Sequence, residues 1–144
     1  MDPYFRRYQL EVADPLTQQA ARLVFRDIYD ESVPEIDAAL KTLEWGEPKV
    51  FAITDGSDGQ QLLAYGSLRD PGRSREARID ELVVAPSCRG IGLGRIMLLG
   101  LEAEAKRGAF EYVSLEATLK SAAFYEKYGY EQHPRARKDL RKSL

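Results

Sequence analysis

The sequence predicts a mixed α/β fold, in which a mostly antiparallel sheet has helices on both faces in the order β-α-α-β-β-β-α-β-α-β. Short polar turns separate consecutive strand-like segments in the middle of the chain, which indicates antiparallel pairing. A strand–helix–strand unit over Ala77–Ala117 requires one parallel crossover. The 144 residues, 44% of them hydrophobic, suffice for one core, so a single domain over residues 1–144 is expected.

The first strand and two helices are predicted at the start of the chain. In Tyr4–Ala13 apolar side chains alternate with charged ones, as in a half-buried strand. A helix then begins, because Asp14 is a good N-cap and Pro15 suits the first helical turn. Ser32 opens an S-x-x-E capping box for a second helix that reaches about Leu43.

Three strands follow in the middle of the chain. Lys49–Thr54 and Gln61–Asp70 are predicted strands, and the Asp- and Gly-rich stretch DGSDGQ between them predicts a hairpin turn. After a polar loop, Ala77–Ala85 is predicted as the fourth strand.

The next helix is predicted over Gly94–Arg107 and ends at Gly108, a typical C-terminal cap. Its spacing of apolar residues predicts a packing face that contains Ile96, Leu99 and Ala103.

A fifth strand and a last short helix complete the predicted elements. The strand covers Phe110–Ala117, and the helix covers Ser121–Gly129. The basic tail after Gly129 is either a last short strand or partly disordered. Its charges are expected to be solvated: Arg135, Arg137, Lys138, Arg141 and Lys142.

Composition argues against several partners and locations. The net charge is −2, from 21 basic and 23 acidic residues, so no basic excess attracts nucleic acid. The start of the chain lacks the apolar core of a signal peptide, and no apolar run is long enough to span a membrane. The single cysteine is typical of a reducing compartment. A cytoplasmic protein with neither a nucleic-acid nor a membrane partner is expected.

The segment RGIGLG lies between the fourth strand and the following helix, where backbone N–H groups have no helical partners. Alternate glycines permit positive φ, so that these groups can converge on an anion such as a pyrophosphate. The G-x-G-x-G spacing departs from the dinucleotide-binding fingerprint, and the G-K-[ST] of a Walker loop is absent. The candidate anion-binding residues are Arg89, Gly90, Ile91, Gly92, Leu93, Gly94 and Arg95.

Two segments together resemble the GNAT superfamily of N-acetyltransferases. RGIGLG, after ELVVAPSC, is similar to its Q/R-x-x-G-x-G/A acyl-CoA motif, and LEATLKSAAFYEKYGY is similar to its L-x-A…A-x-x-F-Y-x-K-x-G-F segment. The resemblance implies that the fourth and fifth strands splay apart and that acetyl-CoA, the cosubstrate, lies in the cleft. It also implies direct transfer of the acetyl group to an amine of a small molecule or peptide, without a metal.

The same resemblance implies which residues contact the cosubstrate. The backbone of Leu82 and Val84 would hydrogen-bond the pantetheine and the acetyl carbonyl, and Val83 is included in this cosubstrate-binding segment. The amides of Arg89–Gly94, with Arg95, would bind the pyrophosphate. Ser121 stands near the place of a frequent family asparagine, which leaves the equivalent contact in doubt.

Acetyl transfer needs a base for the ammonium and an acid for the leaving thiolate. The resemblance places Tyr125 at the thiolate, and a phenol remains protonated at neutral pH. Glu81 is the preferred base, with Asp80 on the opposite strand face and a water chain as alternatives. A further alternative is that Glu81 simply pairs with Arg78 or Arg75. Glu116 is a candidate for binding a cationic acceptor. The acidic residues between the first and second strands also favour a cationic acceptor, although a solvated helix face would look the same: Asp27, Asp30, Glu31, Glu35, Asp37, Glu44 and Glu47.

Several residues have less specific interpretations. Cys88 is interpreted as an incidental loop cysteine, and His133 lacks the neighbours of a metal site. Phe124 is expected in the core, and Trp45 either walls the acceptor site or closes the core. Only 15 residues follow Gly129, so the final hairpin is either short or completed by another chain in a homodimer. A non-catalytic acyl-CoA sensor is the alternative function, and a dinucleotide-binding domain is disfavoured.

Overall fold

The protein was analysed as a computed structural model, which describes residues 3–8, 19–20, 49–55, 61–73 and 75–144. Within these residues, seven strands form one sheet in the order β1-β2-β3-β4-β5-β7-β6, and only the β4–β5 pair is parallel. The strands are β1 (Pro3–Tyr8), β2 (Lys49–Asp55), β3 (Leu62–Arg69), β4 (Glu76–Val84), β5 (Tyr112–Glu116), β6 (Glu131–Gln132) and β7 (Asp139–Ser143). The helices are α1 (Leu93–Arg107) and α2 (Ala122–Lys127), and a 3₁₀ turn covers Pro86–Cys88. The predicted fold class is confirmed.

Some predicted elements lie outside the described residues. Gln19 and Ala20 are helical, in agreement with the first predicted helix, and the rest of that helix is not described. The second predicted helix, Trp45 and the acidic residues around them also lie outside the described ranges. No helix in the described part of the chain is long and apolar enough to cross a membrane.

Strands β4 and β5 pair only over a short stretch. Their register runs from Glu76 opposite Tyr112 to Ile79 opposite Leu115, although β4 continues to Val84. The far half of β4 therefore has β3 on one side and no strand on the other, among the described residues. This is the splayed pair that the sequence resemblance implies.

Helix α1 lies close against the sheet, and a glycine makes this approach possible. A Cβ on Gly66 of β3 would lie 2.7 Å from the Met97 sulfur, so a larger residue would displace the helix. The buried positions of α1 include Met97 and Leu101. The predicted packing face is wrong: Ile96 and Leu99 are 43% and 47% exposed, and Ala103 is also exposed. Apolar residues occur at helical spacing on more than one face of α1, and the position of the sheet determines which face is buried.

The basic tail forms strands of this sheet, which confirms the first of its two predicted forms. The expected solvation of its charges holds for Arg135, Arg137 and Lys138, which are exposed, and is wrong for Arg141 and Lys142. Strand β7 pairs with β5 along its length, and β6 pairs with β7, so the final hairpin is completed within this chain. The Arg141 guanidinium lies 4.2 Å from the centre of the Tyr112 ring. The Lys142 ammonium bonds to Glu102 at 3.0 Å, and Glu102 in turn accepts a hydrogen bond from Tyr130.

A buried ion pair attaches the start of β7 to β4. The Asp139 carboxylate accepts hydrogen bonds from Arg78 at 2.9 Å and from Arg73 at 3.3 Å. Burial alone would raise the pKa of Asp139, but the hydrogen bonds and charges of the two arginines lower it. The pair therefore stabilises the fold while Asp139 is ionised.

Asp139→Asn should lower the free energy of unfolding by about 3 kcal/mol near neutral pH, because it leaves Arg78 without its buried partner charge. The folded-state pKa lies below the unfolded one, so the stabilisation is lost as pH falls through the folded value. Urea unfolding across pH should show the difference from wild type shrinking in acid. Glu111→Gln, which breaks an exposed pair with Arg75, should change stability by about 0.5 kcal/mol or less. Equal losses in the two variants would contradict this account.

Candidate active site

A cavity of about 700 Å³ lies along the unpaired edge of β4. The walls come from β4, the 3₁₀ turn, the start of α1, the end of β5 and the segment containing α2. The lining residues are Asp80, Glu81, Leu82, Val83, Val84, Cys88, Arg89, Gly90, Gly92, Leu93, Gly94, Arg95, Glu116, Thr118, Lys120, Ser121, Phe124, Tyr125 and Tyr128. The structure thus brings nearly all of the candidate residues together, although Ile91 does not line the cavity and is 58% exposed.

The glycines of RGIGLG differ in backbone conformation. Gly90 and Gly92 have φ values of 84° and 89°, in the left-handed region where a Cβ is unfavourable. Gly92 is the N-cap of α1, and no side chain in the described ranges caps this helix end. The amides of the first turn are therefore available to an anion. Gly94 has no positive φ, but a Cβ there would lie 3.4 Å from the Phe124 ring.

Gly92→Ala should weaken binding of coenzyme A by about ten-fold, because the strained backbone would relax and the amides would turn away from the anion. Calorimetry with coenzyme A measures the effect. Gly72→Ala is the matched control: Gly72 has a φ of 78° with open space around it and does not line the cavity. The control should lose similar stability and keep its affinity. A normal affinity in Gly92→Ala would contradict the anion-binding role.

The backbone of β4 alternates between β3 and the cavity. The Ala85 N–H donates to the Leu63 carbonyl at 2.9 Å, which sets the phase of the antiparallel ladder. By alternation, the N–H and C=O groups of Leu82 and Val84 point away from β3, toward the unpaired edge. The Arg89 side chain donates to the Val84 carbonyl at 3.2 Å. Peptide groups at this edge are thus placed to bind an extended ligand as an added strand would.

Glu81 is buried beside Ser67 of β3. The Ser67 hydroxyl donates to Oε2 of Glu81 at 2.8 Å. Burial raises the pKa of Glu81 to about 7, since desolvation outweighs this hydrogen bond and nearby Asp80 adds like charge. The predicted alternative of pairing with Arg78 or Arg75 is wrong, because those guanidinium groups bond to Asp139 and to Glu111. A carboxylate that titrates near neutrality is suited to general base work.

Tyr125 is buried in α2 and lines the same cavity as Glu81. Its ring contacts Phe124 and Tyr130 edge-on, with centroids 5.1 and 5.6 Å away. Burial raises the pKa of Tyr125 to about 12, so the phenol is protonated throughout the physiological range. Phe124, which was expected in the core, is partly buried and contributes to the cavity wall.

The remaining candidates differ in their surroundings. Asp80 forms a two-bond pair with Arg69, at 2.8 and 3.1 Å, and Glu116 is largely exposed. The Ser121 hydroxyl already bonds to Thr118, accepting from its backbone N–H at 3.0 Å. Cys88 is buried in the 3₁₀ turn and lines the cavity, and its interpretation as an incidental cysteine stays a prediction.

His133 belongs to a buried polar cluster rather than to the cavity. Its Nε2 lies 2.8 Å from Glu76, and its Nδ1 accepts a hydrogen bond from the Arg135 N–H. Because Nδ1 accepts this hydrogen bond, Nε2 is the ring nitrogen placed to donate to Glu76. Among the described residues, no three His, Cys, Asp or Glu side chains are grouped as metal ligands.

The cavity has charges of opposite sign at its lining. Basic groups come from the segment around the glycines and from the loop before α2, and they are Arg89, Arg95 and Lys120. Acidic groups come from β4 and the end of β5, and they are Asp80, Glu81 and Glu116. Lys120 and Ser67 are not predicted as site residues from the sequence. A lysine in the short segment between β5 and α2 could have indicated Lys120, whereas no local pattern indicates that Ser67 contacts Glu81.

Known proteins resemble this chain in sequence. A family model described as the acetyltransferase (GNAT) family matches residues 17–130, well over half of the chain. A curated relative, glucosamine 6-phosphate N-acetyltransferase of Trypanosoma brucei brucei, is 40% identical over 58 residues. That stretch covers 40% of this chain and only 39% of the relative.

Solved structures share the fold over almost their whole length. Tetrahymena GCN5 has a TM-score of 0.80 at 12% identity, covering 100% of this chain and 96% of its own. PaiA N-acetyltransferase of Thermoplasma acidophilum, in complex with coenzyme A, has a TM-score of 0.72 at 16% identity and covers 100% of both chains. At these identities the likeness establishes the fold alone.

Proposed function

Because this chain belongs to the GNAT family of acetyltransferases, we propose that it is an acetyl-CoA-dependent enzyme that transfers the acetyl group directly to an amine. The observation that carries the proposal is that one cavity is lined by an uncapped helix end, an unpaired strand edge, a carboxyl with a pKa near 7 and a protonated phenol. Together these supply an anion site, peptide donors, a base and an acid.

The described residues fit acetyl-CoA in two ways. Gly90 and Gly92 have positive φ beside the uncapped N-terminus of α1, which suits a pyrophosphate. Arg89 and Arg95 flank these glycines and add positive charge to the cavity lining, as does Lys120. The edge groups of Leu82 and Val84 would then bind the pantetheine as a strand partner, whereas the Val83 peptide groups face β3, contrary to the prediction that Val83 binds the cosubstrate.

In the proposed reaction, the Glu81 carboxylate accepts a proton from the acceptor ammonium, directly or through one water. The neutral amine attacks the thioester carbonyl, and a β4 peptide N–H stabilises the developing oxyanion. As the intermediate collapses, the Tyr125 hydroxyl donates its proton to the departing thiolate, and the nitrogen loses its second proton to the Tyr125 oxygen, directly or through water. The amide bond forms as the carbon–sulfur bond breaks, and no acetylated enzyme intermediate is formed.

We propose that the acceptor is a cationic amine, on a small molecule or a peptide. Asp80, Glu81 and Glu116 contribute carboxyl groups to the cavity lining, which favours an ammonium over an anionic group. The similarity to a glucosamine 6-phosphate N-acetyltransferase makes amino sugars and their phosphates a first set to test.

A screen of amines for release of free coenzyme A thiol tests the proposal. The panel holds amino sugars, amino sugar phosphates, polyamines and lysine- or N-terminal-amine peptides. We expect thiol release with at least one class and none with the N-acetylated form of the same compound. Tight binding of acetyl-CoA by calorimetry without consumption in any reaction would instead favour a regulatory module that senses acyl-CoA.

A further inference from the structure

Two fully buried serines in this fold donate hydrogen bonds to buried glutamates. Ser67 of β3 donates to Oε2 of Glu81 at 2.8 Å, within the cavity wall. Ser114 of β5 donates to Oε2 of Glu76 at 3.0 Å, in the cluster around His133. Both pairs join a serine hydroxyl to a buried glutamate, but Glu76 also bonds to His133 and Arg73, and only Glu81 lines the cavity.

The strand register places Ser67 directly opposite Glu81, so both side chains emerge on one face of the sheet. The register shifts immediately afterwards, between Ser67 and Leu68, and Asp80 becomes the extra residue of a bulge in β4. Arg69 clamps this bulge through its two bonds to Asp80. The strand pairing and the Arg69–Asp80 ion pair therefore fix the Glu81 backbone, and the Ser67 hydroxyl fixes the Glu81 carboxylate.

We propose that Ser67 is a positioning residue for the proposed catalytic base, because its hydroxyl holds Oε2 of Glu81 and leaves Oε1 available to the acceptor amine. Among the described residues, Glu81 accepts no other side-chain hydrogen bond. A buried carboxylate without a donor is strongly disfavoured relative to the neutral acid. Ser67 would thus keep the base both oriented and ionisable near neutral pH. This inference rests on the function proposed above.

The first test is the pH profile of kcat/KM for Ser67→Ala, with the amine that the screen identifies. Loss of the hydroxyl should move the midpoint of the low-pH limb about one pH unit higher. The rate should therefore fall about ten-fold near pH 6 and about two-fold or less near pH 9, where Glu81 is ionised in both proteins. Ser67→Cys fills the space with a weaker donor and should shift the midpoint in the same direction.

The second test needs no acceptor. Carbon-13 NMR of protein labelled at the glutamate carboxyl carbons follows the titration of Glu81, assigned by its loss in Glu81→Gln. Ser67→Ala should titrate about one pH unit above wild type. Ser114→Ala is the matched control, since it removes the same bond from Glu76. It should lose comparable stability without moving the Glu81 titration or the kinetic midpoint.

An unchanged Glu81 midpoint in Ser67→Ala, or an equal shift in Ser114→Ala, would overturn the role of Ser67. A separate result would overturn the proposed function, namely the absence of turnover with every amine. The NMR titration still decides in that case whether Ser67 controls the Glu81 carboxyl.

Discussion

Glu81→Gln should lower kcat/KM by about a hundred-fold or more and remove the low-pH limb of its pH profile. The amide cannot accept the proton that the attacking ammonium must lose. In the wild type, burial raises the pKa of Glu81 to about 7, so the base is lost as pH falls through that value. The rate should therefore rise with pH across neutrality. Because the acceptor is proposed to bind as the ammonium, an ordinary amine pKa of about 10 should make the rate fall again only above that pH.

The control is Glu111→Gln, the same chemical change at an exposed glutamate outside the cavity. Its pH profile should coincide with that of the wild type. Glu81→Gln should also bind acetyl-CoA with near-normal affinity, because Glu81 is proposed to act on the amine. A wild-type rate and an unaltered low-pH limb in Glu81→Gln would assign the proton to a water chain instead.

Tyr125→Phe should lower kcat by ten-fold or more while affinity for acetyl-CoA changes little. The ring packing against Phe124 and Tyr130 is retained, and only the proton donor is lost. A thiolate then departs without protonation, which penalises the transition state more than the ground state. Stopped-time assays of thiol release and calorimetry with acetyl-CoA separate these two effects.

Tyr112→Phe provides the matched control, because Tyr112 lies on β5 beneath Arg141 and does not line the cavity. It should retain the wild-type kcat. Since burial raises the pKa of Tyr125 to about 12, its ionisation should cause no fall in rate below about pH 10. Equal rates for Tyr125→Phe and the wild type would exclude Tyr125 as the acid.

Local patterns were sufficient to predict the strands that lead to the cavity. The short polar segments after β2 and after β3 predicted antiparallel pairing, and the structure has it. The splay of β4 from β5 followed from the resemblance, and pairing does end at Ile79. The alternate glycines of RGIGLG predicted positive φ in this segment, and Gly90 and Gly92 have it.

Several contacts were missed because the sequence does not show which polar and charged side chains find partners inside the fold. Strand β7 shows no apolar alternation because Arg141 packs on an aromatic ring and Lys142 pairs with buried Glu102. His133 and Asp139 are buried because their partners come from β4 and from the loop that precedes it. Ser67 was missed because its partner lies on the neighbouring strand. Long-range pairing of polar groups leaves no local periodicity, so these contacts require the three-dimensional fold.

The most direct test of the central claim is to follow the acetyl group itself. Acetyl-CoA labelled in the acetyl group is mixed with the enzyme and the amine found in the screen, and the label is divided among amide, free acetate and protein. Direct transfer predicts one labelled amide for each thiol released, with no label on the protein. Label retained in intact acetyl-CoA, or recovered as acetate or acetylated protein in place of the amide, would contradict the account.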